Sequence, residues 1–158
     1  MNTVFADDLV HSKALPDLVT KLLTARQDSL VLFQKLAALQ QPFAPAASVP
    51  RLLQRFRQAL VDYLALGLFE VFQALEDQPT DSPYRRAREI TRRCYARIAR
   101  TTQAALAFHD RYDGDLSQAE LADLGADLAQ LGEQLAERIE LEDRIVAAIR
   151  KSCDTIAA

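Results

Sequence analysis

The chain contains no tryptophan, four glycines, two cysteines and two histidines in 158 residues. Each shortage removes a class of explanation. Few glycines and sparse β-branched residues leave no hairpin signal, while abundant Ala, Leu, Gln, Glu and Arg favour helix. Cys94 and Cys153 form no metal-ligand or CxxC pattern and read as reduced thiols. Cys94 falls on a helical seam as a small core residue, and Cys153 falls in the tail. A di-iron bundle needs Glu-x-x-His motifs on two helices, but only His11 and His109 exist and neither follows a Glu by three. His109-Asp110 reads as a surface histidine whose charge suits a helix C-terminus. No nucleophile elbow, phosphate loop or zinc finger is found. No catalytic residue, metal ligand or cofactor is therefore expected. The N-terminus carries Asp7 and Asp8 with no basic region and no long apolar core, so neither a signal peptide nor a transmembrane segment is expected.

Hydrophobic residues make up 49% and charged residues 26%, ordinary values for a soluble globular domain. The net charge of −3 excludes an overall basic excess for nucleic acid. Its distribution is uneven. Residues 85–100 hold seven arginines (85, 86, 88, 92, 93, 97 and 100) and one acid, Glu89. Residues 110–144 hold eleven acids and three arginines. Such runs usually solvate a helix face. The functional alternative is that the acidic face recognises a basic partner.

Four long helices are expected, at about residues 16–40, 49–77, 83–112 and 117–151. Residues 1–14 are weakly patterned and read as an N-terminal arm, either a short helix or loose, with 15–151 the helical domain and 152–158 a frayed tail. Pro16 suits the first turn of the first helix, whose apolar positions are Leu18, Leu22, Leu30, Phe33 and Leu36, and Pro42 and Pro45 end it. Ser48 and Pro50 start the second helix. Its seam is Leu53, Phe56, Leu60, Tyr63, Gly67, Val71 and Leu75. Asp81-Ser82-Pro83 starts the third, with Ala87, Cys94, Ile98, Thr101, Ala105, Phe108 and Tyr112 facing inward. After the turn at Asp113-Gly114-Asp115, Ser117-Gln118-Ala119-Glu120 is a capping box. The fourth seam runs Leu121, Leu124, Leu128, Leu131 and Leu135, then Arg138, Glu142, Ile145 and Ile149. Long helices with short connections predict an all-α, up-down-up-down antiparallel four-helix bundle.

Two features stand out from this frame. Residues 60–75 are apolar almost all round, with only Asp62, Glu70 and Gln73 strongly polar, yet the stretch is too short and too charged for a bilayer span. Leu66 and Phe69 lie off the main seam, so they are either extra core or an interface. Arg138 and Glu142 interrupt an apolar seam, and Arg26 sits between Leu22 and Leu30. Unpaired buried charge is costly, so an internal ionic cluster of Arg26, Arg138 and Glu142, with Asp62 as a further candidate, is expected. The competing reading places them at a rim where the side chains reach water.

The residues of these features carry a family resemblance. Leu60-Val61-Asp62-Tyr63-Leu64-Ala65-Leu66-Gly67-Leu68-Phe69 resembles the LVDYxSAGHF signature of the Rsd/AlgQ family, regulators of sigma D. Arg138-Ile139-Glu140-Leu141-Glu142-Asp143-Arg144-Ile145 resembles its RFxLEDxLI segment, and residues 18–26 resemble its LVDRWLxxR segment. Arg26, Asp62, Tyr63, Gly67, Phe69, Arg138, Glu142 and Asp143 match. Thr20 and Leu22 replace an Asp and a Trp, and Ala65-Leu66-Gly67-Leu68 replaces Ser-Ala-Gly-His. The resemblance implies a cytoplasmic, non-enzymatic bacterial anti-sigma factor. Its partner would be the primary sigma-70-type factor, chiefly the C-terminal helix-turn-helix region, which it would withhold from core RNA polymerase. Asp62, Leu66, Leu68 and Phe69 would form the partner surface, and the acidic last helix would steer a basic partner in. A monomer with no direct nucleic-acid or membrane binding is expected. The alternative functions are a helical adaptor for a different regulatory protein, a metalloenzyme, and a nucleic-acid binder through the arginine run.

Overall fold

A computed structural model describes residues 3–40 and 48–157, with side chains for 14–40 and 48–156. Pro42 and Pro45 lie outside the described residues, as does the side chain of His11. The described chain is all helix: α1 (Thr3–Ala38), α2 (Val49–Ala65), a π-helical segment (Leu66–Phe72), α3 (Gln73–Glu76), α4 (Arg85–Arg111) and α5 (Gln118–Ala157). α1 packs on α2 and the π segment, α2 on α4, α4 on α5, and α5 back on α1.

Two helix limits differ from the sequence expectation. α1 begins at Thr3 and carries Pro16 inside it, taking in most of the stretch read as an arm. The proline removes one backbone donor there without ending the helix. Leu15 and Val19 on either side are buried, so tertiary packing holds this part of α1. α5 runs on to Ala157. Ser152 is buried and the Cys153 thiol lies 3.5 Å from the Tyr84 hydroxyl, contacts that extend the helix beyond residue 151.

The seams of α2, α4 and α5 face the interior as spaced. Leu53, Phe56, Leu60, Tyr63, Val71 and Leu75 are buried, as are Leu124, Leu128, Leu131, Leu135, Ile145 and Ile149. The register of α1 differs. Its buried line is Leu15, Val19, Leu22, Ser29, Leu32 and Leu36, while Leu30 and Phe33 flank it half-buried. Ser29 is a polar member of this line. Its hydroxyl lies 3.0 Å from Ala59 O on α2 and from Ala25 O, so the group is satisfied and the helices approach closely.

The π segment follows from spacing. Tyr63, Gly67, Val71 and Leu75 are four apart in each step. At 3.6 residues per turn, each such step overshoots by about 40°. Wider i→i+5 turns over Leu66–Phe72 absorb that drift and keep Val71 and Leu75 inside. The continuous helical run Val49–Glu76 is long and apolar enough to cross a membrane by length and composition alone. Core helices of soluble proteins have the same composition, and this run spends its apolar seam on the interior.

Side chains join the helices at their ends. Phe33, Phe56, Phe108 and Tyr112 form a ladder with centroid separations of 5.9, 5.9 and 4.8 Å, and the Tyr112 hydroxyl donates to Asp127 on α5. Ser48 occupies the cap position of α2 without a side-chain capping bond. Ser117 Oγ accepts from Glu120 N–H at 3.1 Å, and Gly114 takes the turn at φ +76°. Buried Arg57 donates to His109 O at 2.8 Å and pairs with Asp113, placing a cation at the α4 C-terminus.

Arg88 belongs to the arginine run but is buried, donating to the carbonyls of Gln78, Pro79 and Thr80 in the α3–α4 connection. Arg88→Ala is expected to cost about 2–3 kcal/mol, because it strands those carbonyls. Arg93→Ala, at an exposed position of the same run, should change stability by less than about 0.5 kcal/mol. Urea titration of both variants checks the contrast, and equal losses would contradict a structural role for Arg88.

Candidate functional site: a buried ionic cluster beneath an exposed apolar ridge

α1, α2 and α5 bring Arg26, Tyr63, Arg138 and Glu142 together in the middle of the protein. Arg138 and Glu142 are one helical turn apart on α5 and essentially fully buried. Arg138 Nε donates to Glu142 Oε2 at 3.0 Å, and Nη1 donates to Thr101 and Thr102 hydroxyls on α4 at 3.1 and 2.7 Å. Arg26 Nη1 reaches Glu142 Oε1 at 3.5 Å and the more exposed Asp143 Oδ1 at 2.8 Å. Tyr63 donates its hydroxyl proton to Glu142 Oε1, and its ring lies 5.5 Å from the Arg138 guanidinium carbon.

Burial pushes the Glu142 carboxyl above its usual range, against the pull of Arg138, the Tyr63 hydroxyl and Arg26. Burial also raises the Tyr63 hydroxyl, as does the neighbouring carboxylate. Arg26 keeps its proton because Asp143 and Glu142 outweigh its partial burial. One donor stays unmatched: Arg138 Nη2 has no hydrogen-bond partner among the described residues. It lies beside Gly67, where a Cβ would stand 3.4 Å away. The arrangement ties α1, α2, α4 and α5 to one another.

Asp62, the further candidate for this cluster, is not part of it. It is exposed and accepts a hydrogen bond from Gln58 at 3.0 Å. Tyr63, its neighbour, supplies the contact to Glu142 instead. A tyrosine on an apolar seam gave no sign of this role, since its ring satisfies the pattern and its hydroxyl is silent in it.

The residues matching the family motifs divide cleanly. Arg26, Tyr63, Gly67, Arg138, Glu142 and Asp143 meet at this cluster. Asp62 and Phe69 remain on the surface. Phe69 is 71% exposed, the most exposed large apolar side chain among the described residues, and Leu68 beside it is 36% exposed. Leu66 is half-buried and packs against the core. Phe69 and Leu68 thus make an apolar ridge on the π segment.

The acidic run is largely consumed within the chain, whereas the arginine run is engaged at three of its seven positions. In the acidic run, Arg111 holds Asp123 and Asp127, Arg97 holds Glu137, Arg144 holds Glu140, and Arg57 holds Asp113. Among its acids only Asp115, Glu120 and Glu133 have no basic partner among the described residues. In the arginine run, Arg88 is buried, and Arg92 and Arg97 are paired. α5 packs chiefly on α4 and also on α1, and it meets α2 and the π segment through side chains crossing the interior, Tyr63 to Glu142 and Arg138 to Gly67. Among the described residues, no group of three or more His, Cys, Asp or Glu side chains could hold a metal ion.

An all-helical domain with a closed, charged interior and an exposed apolar ridge has the character of a binding protein. The family of regulators of the RNA polymerase sigma(70) subunit, Rsd/AlgQ, matches residues 11–150, and the chain belongs to it. Similar proteins include the regulator of sigma D of Yersinia enterocolitica, 26% identical over 82% of this chain and 78% of its own. Those of Yersinia pseudotuberculosis and an Enterobacter species are 27% and 26% identical over the same shares. No solved structure matches the chain.

Proposed function

We propose that this protein is an anti-sigma factor. It binds the primary sigma-70-type factor of its own bacterium, chiefly through that factor's C-terminal helix-turn-helix region, and withholds it from core RNA polymerase in the cytoplasm. It does so as a non-enzymatic monomer without contacting nucleic acid or membrane. The family match supports the partner. The observation that carries the surface is Phe69, which matches the family signature and is left 71% exposed by the fold. Asp62, Leu66, Leu68 and Phe69 form the recognition surface, with Phe69 as the anchor and Asp62 as a carboxylate for a basic helix-turn-helix. The frame is an up-down-up-down antiparallel bundle. Its support lies in residue order along α4 and α5, where Arg97 meets Glu137 and Arg111 meets Asp127.

Calorimetric titration of the protein into the C-terminal region of that sigma factor tests the reading. Saturable one-to-one binding is expected, and no detectable heat at several temperatures would reject it. Because most α5 acids are already paired, steering by that helix is weak. Raising salt should lower the association rate by less than about tenfold. A steep salt dependence in stopped-flow would show a stronger field than the ion pairs leave.

A second reading rests on Leu66 and Leu68, which stand where the family signature has a small residue and a histidine. They enlarge the apolar ridge. In that reading the chain is a helical adaptor for another regulatory protein and ignores sigma.

A further inference from the structure

The ridge of Leu68 and Phe69 is too small to hold a folded partner by itself. A buried aromatic side chain contributes about 150–250 Å², whereas a specific interface covers about 800 Å² on each partner. The surface has to continue from the ridge, and the exposed apolar side chains show the direction. Those left exposed among the described residues are Val31, Leu68, Phe69, Tyr95, Leu106 and Ile156. Val31, Leu106 and Ile156 stand on α1, the far half of α4 and the end of α5. Tyr95 shares a groove of about 450 Å³ with the π segment. Leu68 stands on the π-segment side of this groove and Tyr95 on the α4 side, with buried Phe72 and Thr91 as its floor. The Thr91 hydroxyl donates to Ala87 O at 2.8 Å, so its polarity is met within α4. Arg92 and Glu76 close the rim as a pair at 2.6 Å, one charge of each sign. A balanced rim over an apolar floor suits an uncharged side chain. Tyr95 follows buried Cys94, and a step of about 100° turns it out of the core, leaving it 57% exposed.

We propose that this groove is the second half of the sigma-recognition surface and that Tyr95 is a specificity-determining residue for that partner, an inference that rests on the anti-sigma reading. Phe69 projects into the partner, and an apolar side chain of the partner's C-terminal helix-turn-helix region seats between Leu68 and Tyr95. Each side then offers a projecting group to a recess on the other. Continuity selects this occupant. Leu68 belongs to both ridge and groove, so a partner that covers the ridge also covers the near wall of the groove. A different partner in the groove would have to compete with sigma for Leu68.

The test combines calorimetry against the C-terminal region of the primary sigma factor with fluorine NMR of the full chain carrying fluorotyrosine. Tyr63, Tyr84 and Tyr112 are buried, so the resonance that responds to solvent belongs to Tyr95. Sigma is expected to remove that solvent response. Tyr95→Ala should weaken binding by about tenfold or more, with an unchanged melting temperature. Leu106→Ala alters another exposed apolar position, about three turns further along α4 and outside the groove, and should leave the affinity as it is. If sigma binds and Phe69→Ala weakens it while Tyr95→Ala does not, the groove is outside the interface and the anti-sigma reading stands without it. A Tyr95 resonance indifferent to sigma, or equal losses at Tyr95 and Leu106, would overturn the assignment as well. If the parent chain binds no sigma, both readings fall together.

Discussion

Glu142→Ala is expected to destabilise the protein by about 3–5 kcal/mol, the largest loss for any single side chain in the cluster. The variant leaves the Arg138 guanidinium buried with two threonine hydroxyls and no counter-charge. An arginine cannot shed its proton to escape that position. Arg138→Met removes the other half of the pair, yet it should cost less. Glu142 can take up a proton, and it keeps Tyr63 and Arg26 as neighbours.

The two variants differ in pH dependence, and the direction follows from linkage. Burial already holds the Glu142 pKa above its unfolded value. A raised folded pKa favours the protonated folded state. That contribution is complete below the ordinary carboxylate range and is lost as pH rises through the folded value. Arg138→Met removes the strongest pull in the opposite direction and raises the folded value further. Its deficit relative to the parent should therefore be smaller near about pH 5 than near about pH 8. The Glu142→Ala deficit should vary in the opposite sense and be larger near about pH 5, since the variant lacks the raised carboxyl that stabilises the parent there. Urea denaturation at the two pH values checks both points. A pH-independent deficit for Arg138→Met would show that Glu142 reaches water when its partner is gone.

Phe69→Ala is expected to weaken binding to the C-terminal region of the primary sigma factor by about 2 kcal/mol, roughly thirtyfold in Kd. Its ring contributes little to the core because most of it is exposed, so the melting temperature should stay close to that of the parent. Asp62→Ala should have a smaller effect in the same direction, since its carboxylate is solvated and already bonded to Gln58. Calorimetry on both variants provides the measurement. Undiminished affinity in both would move the recognition surface away from the π segment while leaving family membership untouched.

The limits of pattern reading show in three places. On α1, apolar spacing pointed to Leu30 and Phe33, whereas the helix turns Ser29 and Leu32 inward. A serine can be buried cheaply when a carbonyl on the next helix accepts its proton, and no periodicity of hydrophobes reveals that. At the centre, Asp62 was a further candidate for the ionic cluster, yet its neighbour Tyr63 makes the contact to Glu142. A difference of one residue, about 100° around a helix, separates interior from solvent. In the acidic run, eleven carboxylates in the sequence suggested a free charged face. The folded chain sets its own arginines against most of them.

Residue order alone determined the helical class, the inward seams of α2, α4 and α5, and the family, because these depend on local propensity, spacing and motif. It also marked Arg26, Arg138 and Glu142 as charges out of place in apolar lines. Tertiary structure decided which groups complete that cluster, that Asp62 and Phe69 stay outside it, and that most acids of the last helix are paired within the chain. Those outcomes depend on how the helices are rotated and paired in space. Rotation is set by packing among distant residues, which sequence spacing within one helix does not encode.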